Sequence, residues 1–150
     1  MNGRDLAEVE AAIGAAMRPF AAQQALLLTI PGVDALTAAA IIGEIGVDMA
    51  AFGTAQRLAA WAGLCPASPE SAGKQKRRGT RKGNPDLKAT LVTAAVCGAR
   101  TKGSYLRDKF HRLRARMGAK KAAVAVGHKI LVAAFHMLRR GGVFADLGAD

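Results

Sequence analysis

Between positions 71 and 84 the chain reads Ser-Ala-Gly-Lys-Gln-Lys-Arg-Arg-Gly-Thr-Arg-Lys-Gly-Asn, a stretch that opens on a hydroxyl and contains no carboxylate. Lys74, Lys76, Arg77, Arg78, Arg81 and Lys82 crowd cations into it, and they must face either an anion or water. A phosphodiester backbone meets that demand. Gly73, Gly79 and Gly83 let the main chain turn sharply and come close to a ligand. Two readings stand side by side: a phosphate clamp, or a basic loop solvated at the surface. Without nucleic acid the loop is expected to be mobile. A second group, Arg107, Lys109, Arg112, Arg114 and Arg116, has only Asp108 among it; this set is either a solvated helix face or a further line of phosphate contacts.

The charge is unevenly distributed. The 150 residues carry a net +11, but positions 71–140 hold 19 Lys and Arg against Asp86 and Asp108, a balance of +17. Positions 1–70 balance to −4 and the last ten residues to −2. So lopsided a field points to a polyanion docking on the second half, with strongly salt-dependent affinity. An anionic membrane surface or an acidic protein is the other class of partner. Read along the sequence, no apolar run approaches the roughly 18–20 residues of a membrane span, and the N-terminus lacks a signal pattern, so a cytoplasmic protein without membrane attachment is expected. Cys65 and Cys97 are too few and too far apart for a zinc site, and His111, His128 and His136 supply no matching ligand cluster. No metal site is expected. Both cysteines read as reduced core residues, and His128 and His136, eight apart on one helix, as packed or solvated side chains.

The elements that must position the cations are helical. Leu6, Val9, Ile13, Met17 and Phe20 recur at helical spacing and form a stripe that needs a partner surface, either within the domain or in a coiled coil of which residues 1–22 are the tail. A helix over 23–29 runs into Ile30-Pro31-Gly32-Val33 and a second helix over 34–46, with Leu36, Ala40, Ile41 and Ile45 as its apolar face. The unit is similar to a helix-hairpin-helix, in which Gly32 would bring backbone N–H groups to a phosphate. Asp34 stands where a second glycine is usual; it repels phosphate unless it caps the next helix. Phosphate binding and plain scaffolding are both open for this turn. Thr54 caps a short helix through Trp61, with Leu58 and Trp61 on one side. Asn84-Pro85-Asp86 starts a helix carrying Leu87, Leu91, Ala94 and Ala95 to about Thr101. Ser104 caps the basic helix 105–117, whose Leu106, Phe110 and Leu113 face inward. A last helix, 119–140, buries Val124, Ile130, Leu131, Ala134, Phe135 and Leu138 and stops at Gly141-Gly142. Strand signals are absent, so the expected fold is all-α: a compact multi-helix domain with a helix-hairpin-helix-like segment and a basic glycine-rich loop.

The ordered set Ile30-Pro31-Gly32-Val33, Thr37-Ala38, Gly43-Glu44-Ile45-Gly46, Phe52, Leu58-Ala59-Ala60-Trp61-Ala62-Gly63-Leu64, Pro66, Glu70-Ser71-Ala72-Gly73-Lys74, Arg81-Lys82-Gly83-Asn84, Leu87, Ala122, Val124-Ala125-Val126 and His128-Lys129-Ile130-Leu131 closely resembles the C-terminal transposase domain of the IS110 insertion-sequence family, also called the IS116 or IS902 group. The resemblance covers about 25–147, so the expected organisation is a first helix over 1–22, a transposase serine domain over 23–147 and a tail over 148–150. It implies a DNA recombinase in which a RuvC-like domain holds divalent metal on an acidic tetrad and this domain supplies a nucleophilic serine, here Ser71. It also implies a structured guide RNA and DNA as partners, and a homo-oligomer. No RuvC-like domain is contained in these 150 residues, so no cofactor is expected in this chain, Mg²⁺ only with that domain, and the chain alone should bind nucleic acid without cutting it. The competing expectation is a non-catalytic helical DNA- or RNA-binding module, a domesticated remnant.

Overall fold

Helix boundaries follow the local chemistry. In the computed structural model, which describes residues 3–64 and 85–144 and the side chains from Leu6 onward, α1 (Gly3–Met17) leads through a 3-10 turn at Arg18–Phe20 into α2 (Ala21–Leu27). Then follow α3 (Ala35–Ile45), a 3-10 turn at Met49–Ala51 and α4 (Ala55–Ala62). The chain continues as α5 (Pro85–Gly98), α6 (Tyr105–Met117) and α7 (Ala119–Arg140). No strand occurs among the described residues, and the fold is all-α. Of the side-chain caps read from the sequence, Asn84 lies outside the described residues and the other three are in place. Asp34 accepts the Thr37 N–H at 2.8 Å, Thr54 the Arg57 N–H at 3.1 Å and Ser104 the Arg107 N–H at 3.1 Å. Each satisfies a donor that the first helical turn leaves unpaired. The Thr37 N–H and hydroxyl hold the Asp34 carboxyl below its usual range, so this cap is intact above about pH 4 and is lost as pH falls through the lowered value.

α7 is the axis of the domain and packs on α2, α4, α5 and α6. Its Ala122, Val126, Ile130, Leu131, Ala134 and Phe135 are buried, against Leu87, Leu91, Ala94 and Ala95 of α5, Leu106 and Phe110 of α6, and Leu58 and Ala62 of α4. Full burial of each large aliphatic or aromatic side chain contributes about 1.5–3 kcal/mol. α5 and α7 approach closely because Gly127 offers no side chain: a Cβ there would lie 3.3 Å from the Leu91 carbonyl oxygen. By length and composition α7 could cross a membrane, contrary to the reading of the sequence as free of such a run. In this fold it is the core helix, with half of its most apolar window buried by the domain.

The Pro-Gly turn is held from inside. Val33 N–H donates to the Ile30 carbonyl at 3.1 Å, with Gly32 at φ 92°, a value that a side chain would strain. A Cβ on Gly32 would fall 2.3 Å from the Ala94 carbonyl oxygen and 2.5 Å from the Gly98 nitrogen. Gly98 reciprocates, since a Cβ on it would sit 2.7 Å from the Pro31 carbonyl oxygen. The turn and α5 therefore interlock backbone to backbone.

Several side chains lie elsewhere than expected. α3 buries Ala38, Ala39, Ile41, Ile42 and Ile45, while Leu36 and Ala40 are exposed. Trp61 does not share the core side with Leu58; it lies outside, with its ring 5.5 Å from that of Phe52. Of the α1 stripe only Met17 is buried, Ile13 and Phe20 are partly covered, and Leu6 and Val9 are 48% and 45% exposed. Cys97 is exposed, not a core residue, because α5 turns Ala94, Ala95 and Gly98 inward and Val96 and Cys97 outward. α5 ends at Gly98, three residues before the expected Thr101.

Candidate nucleic-acid interface

The outer face of α5 carries Val92 and Val96, with Ala99 and Arg100 just past its end; one face of α6 carries Arg107, Phe110, His111 and Arg114; and the first turns of α7 carry Ala119, Lys120 and Ala123. Together they line an open groove of about 690 Å³. Its floor is apolar. Arg100, Arg107, Arg114 and Lys120 are its cations, and no Asp or Glu lines it among the described residues. Phe110 is buried, with the exposed His111 ring packed edge-on at 5.7 Å.

Some of this positive charge has a local structural reason and some does not. Arg114 sits in the last turn of α6, where the helix dipole favours a cation. Lys120 and Lys121 sit in the first turn of α7, where the dipole disfavours one, and Gly118 offers that helix no side-chain cap. The amino end of α7 thus combines unpaired N–H groups with two lysines, and an anion there relieves both.

The structure sorts the candidate contacts predicted from sequence. Arg107 and Arg114, seven apart, are brought into the groove; Arg112 and Arg116 are exposed but do not line it. Gly32 faces α5 on the Ala94 and Gly98 side, away from the groove-lining Val92 and Val96, and its need for glycine is accounted for inside the fold. Ser71, Lys74, Lys76, Arg77, Arg78, Arg81 and Lys82 lie outside the described residues, as does the expectation of loop mobility. Arg100, Lys120 and His111 are groove residues that the reading of the sequence did not single out. The signal available was Val92, Val96 and Arg100 at successive steps of four, an apolar and basic line that runs along the solvent side of α5 and just past its end.

His128 is half-buried on α7, and burial first, then the positive charges of Lys129 and Lys109, hold its pKa below the ordinary value. The unfolded chain therefore binds a proton near pH 6.5 that the folded chain refuses. Stability is expected to be full above that pH and to decline as pH falls from about 6.5 toward the lowered value. Thermal melts from neutral to mildly acidic pH should show a shallower decline for His128→Asn than for wild type. Equal slopes would remove His128 as the cause.

An apolar helical core with a basic groove on its outside places the chain in the broad class of all-α domains. The family can be stated more narrowly: residues 24–111, from α2 through most of α6, match the sequence model of the transposase IS116/IS110/IS902 family, and the chain belongs to that family. A transposase-related function, with DNA as the partner that function suggests, follows from the membership. No curated protein and no solved structure matches the chain.

Proposed function

We propose that this chain is the nucleic-acid-gripping, serine-bearing part of a DNA transposase. The observation that carries the reading is the span of the family match, which takes in Ser71 with its basic stretch and, of the groove residues on α6, Arg107, Phe110 and His111. In this reading Arg107, Arg114, Arg100 and Lys120 hold phosphates at the groove, and Lys74, Lys76, Arg77, Arg78, Arg81 and Lys82 hold the strand beside Ser71. Ser71 is the nucleophile. Its Oγ would bond to phosphorus as a strand oxygen leaves, with its proton passing to a base, and the neighbouring cations would screen the charge that develops on the phosphoryl oxygens. The resemblance further supports a structured guide RNA, a homo-oligomer and a RuvC-like domain as partners.

The acidic residues described here do not fit a divalent metal. No group of three or more His, Cys, Asp or Glu comes together among the described residues, and Asp34 and Asp48 are occupied as caps. Metal chemistry in this proposal belongs to the RuvC-like domain, and no step is assigned to a metal in this chain.

The direct test uses the 150-residue chain alone with labelled DNA, structured RNA, anionic vesicles and an acidic peptide. It should bind the nucleic acids with steep salt dependence and leave them uncut. Preference for vesicles or peptide would overturn the reading.

A further inference from the structure

Phosphate contact explains the cations of the α5–α6–α7 groove but not its floor. A duplex keeps its bases in the stack and presents its backbone outward, so it needs cations on an accessible surface and gains nothing from an apolar recess. Yet Val92 and Val96 of α5, with the largely buried Ala99 just past its end, form such a recess, and Val96 is 38% exposed there although the opposite side of α5 is core. Cations stand on more than one side of it: Arg107 and Arg114 on α6, Arg100 just beyond the end of α5 and Lys120 at the start of α7. The volume, about 690 Å³, is within the roughly 300–1,000 Å³ range of small-molecule sites.

We infer that this groove seats an unpaired nucleobase: the base lies on the Val92, Val96 and Ala99 floor while arginines on either side hold the flanking phosphates. This deepens the phosphate-contact reading given under Proposed function and rests on it. An unpaired strand offers what the groove complements, a flat apolar face between two anions, and a guanidinium can close over the face that the floor leaves open. The site therefore selects single-stranded or bulged nucleic acid over duplex. An acidic amphipathic helix would satisfy the same cations, but it would make affinity independent of bases.

The test measures the affinity of the 150-residue chain for three short fluorescent probes of equal length: an ordinary single strand, a single strand with abasic residues at its centre, and a duplex. The ordinary strand should bind roughly tenfold more tightly than the abasic one. Val96→Asn changes no charge at a partly exposed position, and circular dichroism checks that the variant folds. It should erase most of that difference while leaving affinity for the abasic strand unchanged. Equal affinity of wild type for the two strands, or discrimination that survives Val96→Asn, overturns the inference. Arg107→Ala with Arg114→Ala separates the two levels of argument. If the double variant weakens every probe but bases do not matter, only the base-seating inference falls. If it weakens none, the phosphate-contact reading falls with it.

Discussion

Ser71→Ala is expected to abolish the covalent protein–DNA adduct in an assembly that unites this chain with a RuvC-like domain, its RNA and donor DNA, while affinity for nucleic acid stays within about twofold. A hydroxyl nucleophile has no substitute once its oxygen is gone, and removal of such a group costs roughly 10⁴-fold or more in rate. Binding is different. It is spread over many cations, and the serine carries no charge to lose. The informative result is therefore the separation of the two readouts. Radiolabelled DNA recovered on the wild-type chain but not on the variant, with equal retention of free DNA, supports the nucleophile. An adduct formed by the variant assigns the attack to another residue, and no adduct with either chain favours a helical binding module without chemistry.

Gly32→Ala is expected to cost about 3–4 kcal/mol, a large part of the roughly 5–15 kcal/mol that holds a domain of this size folded. Two effects add. The position has φ 92°, where a side chain is strained by about 1–2 kcal/mol. The new methyl would also meet the Ala94 carbonyl oxygen at 2.3 Å and the Gly98 nitrogen at 2.5 Å, backbone atoms of α5 that cannot rotate aside. Overpacking of that kind costs about 1–3 kcal/mol. Gly43→Ala is the control, because a Cβ on that α3 glycine meets nothing within 4 Å. It should be neutral or stabilise by up to about 1 kcal/mol. Denaturant melts of both variants decide the matter; similar midpoints would mean that the turn is not locked against α5.

The parts of the fold legible in the sequence were those written in local chemistry. Asp34, Thr54 and Ser104 announce helix starts by short-range hydrogen bonds, and each bond is present. α7 has its expected ends, because Gly118 and Gly141 frame it with backbone angles that favour glycine. The phase of α3 was less legible. Leu36 and three consecutive alanines, Ala38 to Ala40, spread small apolar residues around the helix, so periodicity alone could not choose the buried side. Trp61 misled for a related reason: a large apolar residue reads as core, but here Phe52 gives it a partner at the surface.

The groove was legible only in fragments. Arg107, Lys109, Arg112, Arg114 and Arg116 read as one basic set, and the sequence could not tell which of them would lie next to α5 and α7. That depends on how three helices pack. The same packing recruited Arg100 and Lys120, which lie in separate segments of the chain. Gly32 shows the converse. Its type correctly signals close backbone approach, but the approaching backbone is that of α5.

The two pairs of α6 arginines provide the most direct measurement of whether the groove is where phosphates lie. Affinity of the 150-residue chain for a labelled single strand, followed over a range of salt concentrations, should fall with a slope that Arg107→Ala/Arg114→Ala makes shallower by roughly one to two logarithmic units. Arg112→Ala/Arg116→Ala removes the same charge from the other exposed side of the helix and should change the slope by less than about half a unit. Equal changes from the two double variants, or a larger one from Arg112 and Arg116, would contradict the assignment of the groove as the nucleic-acid interface.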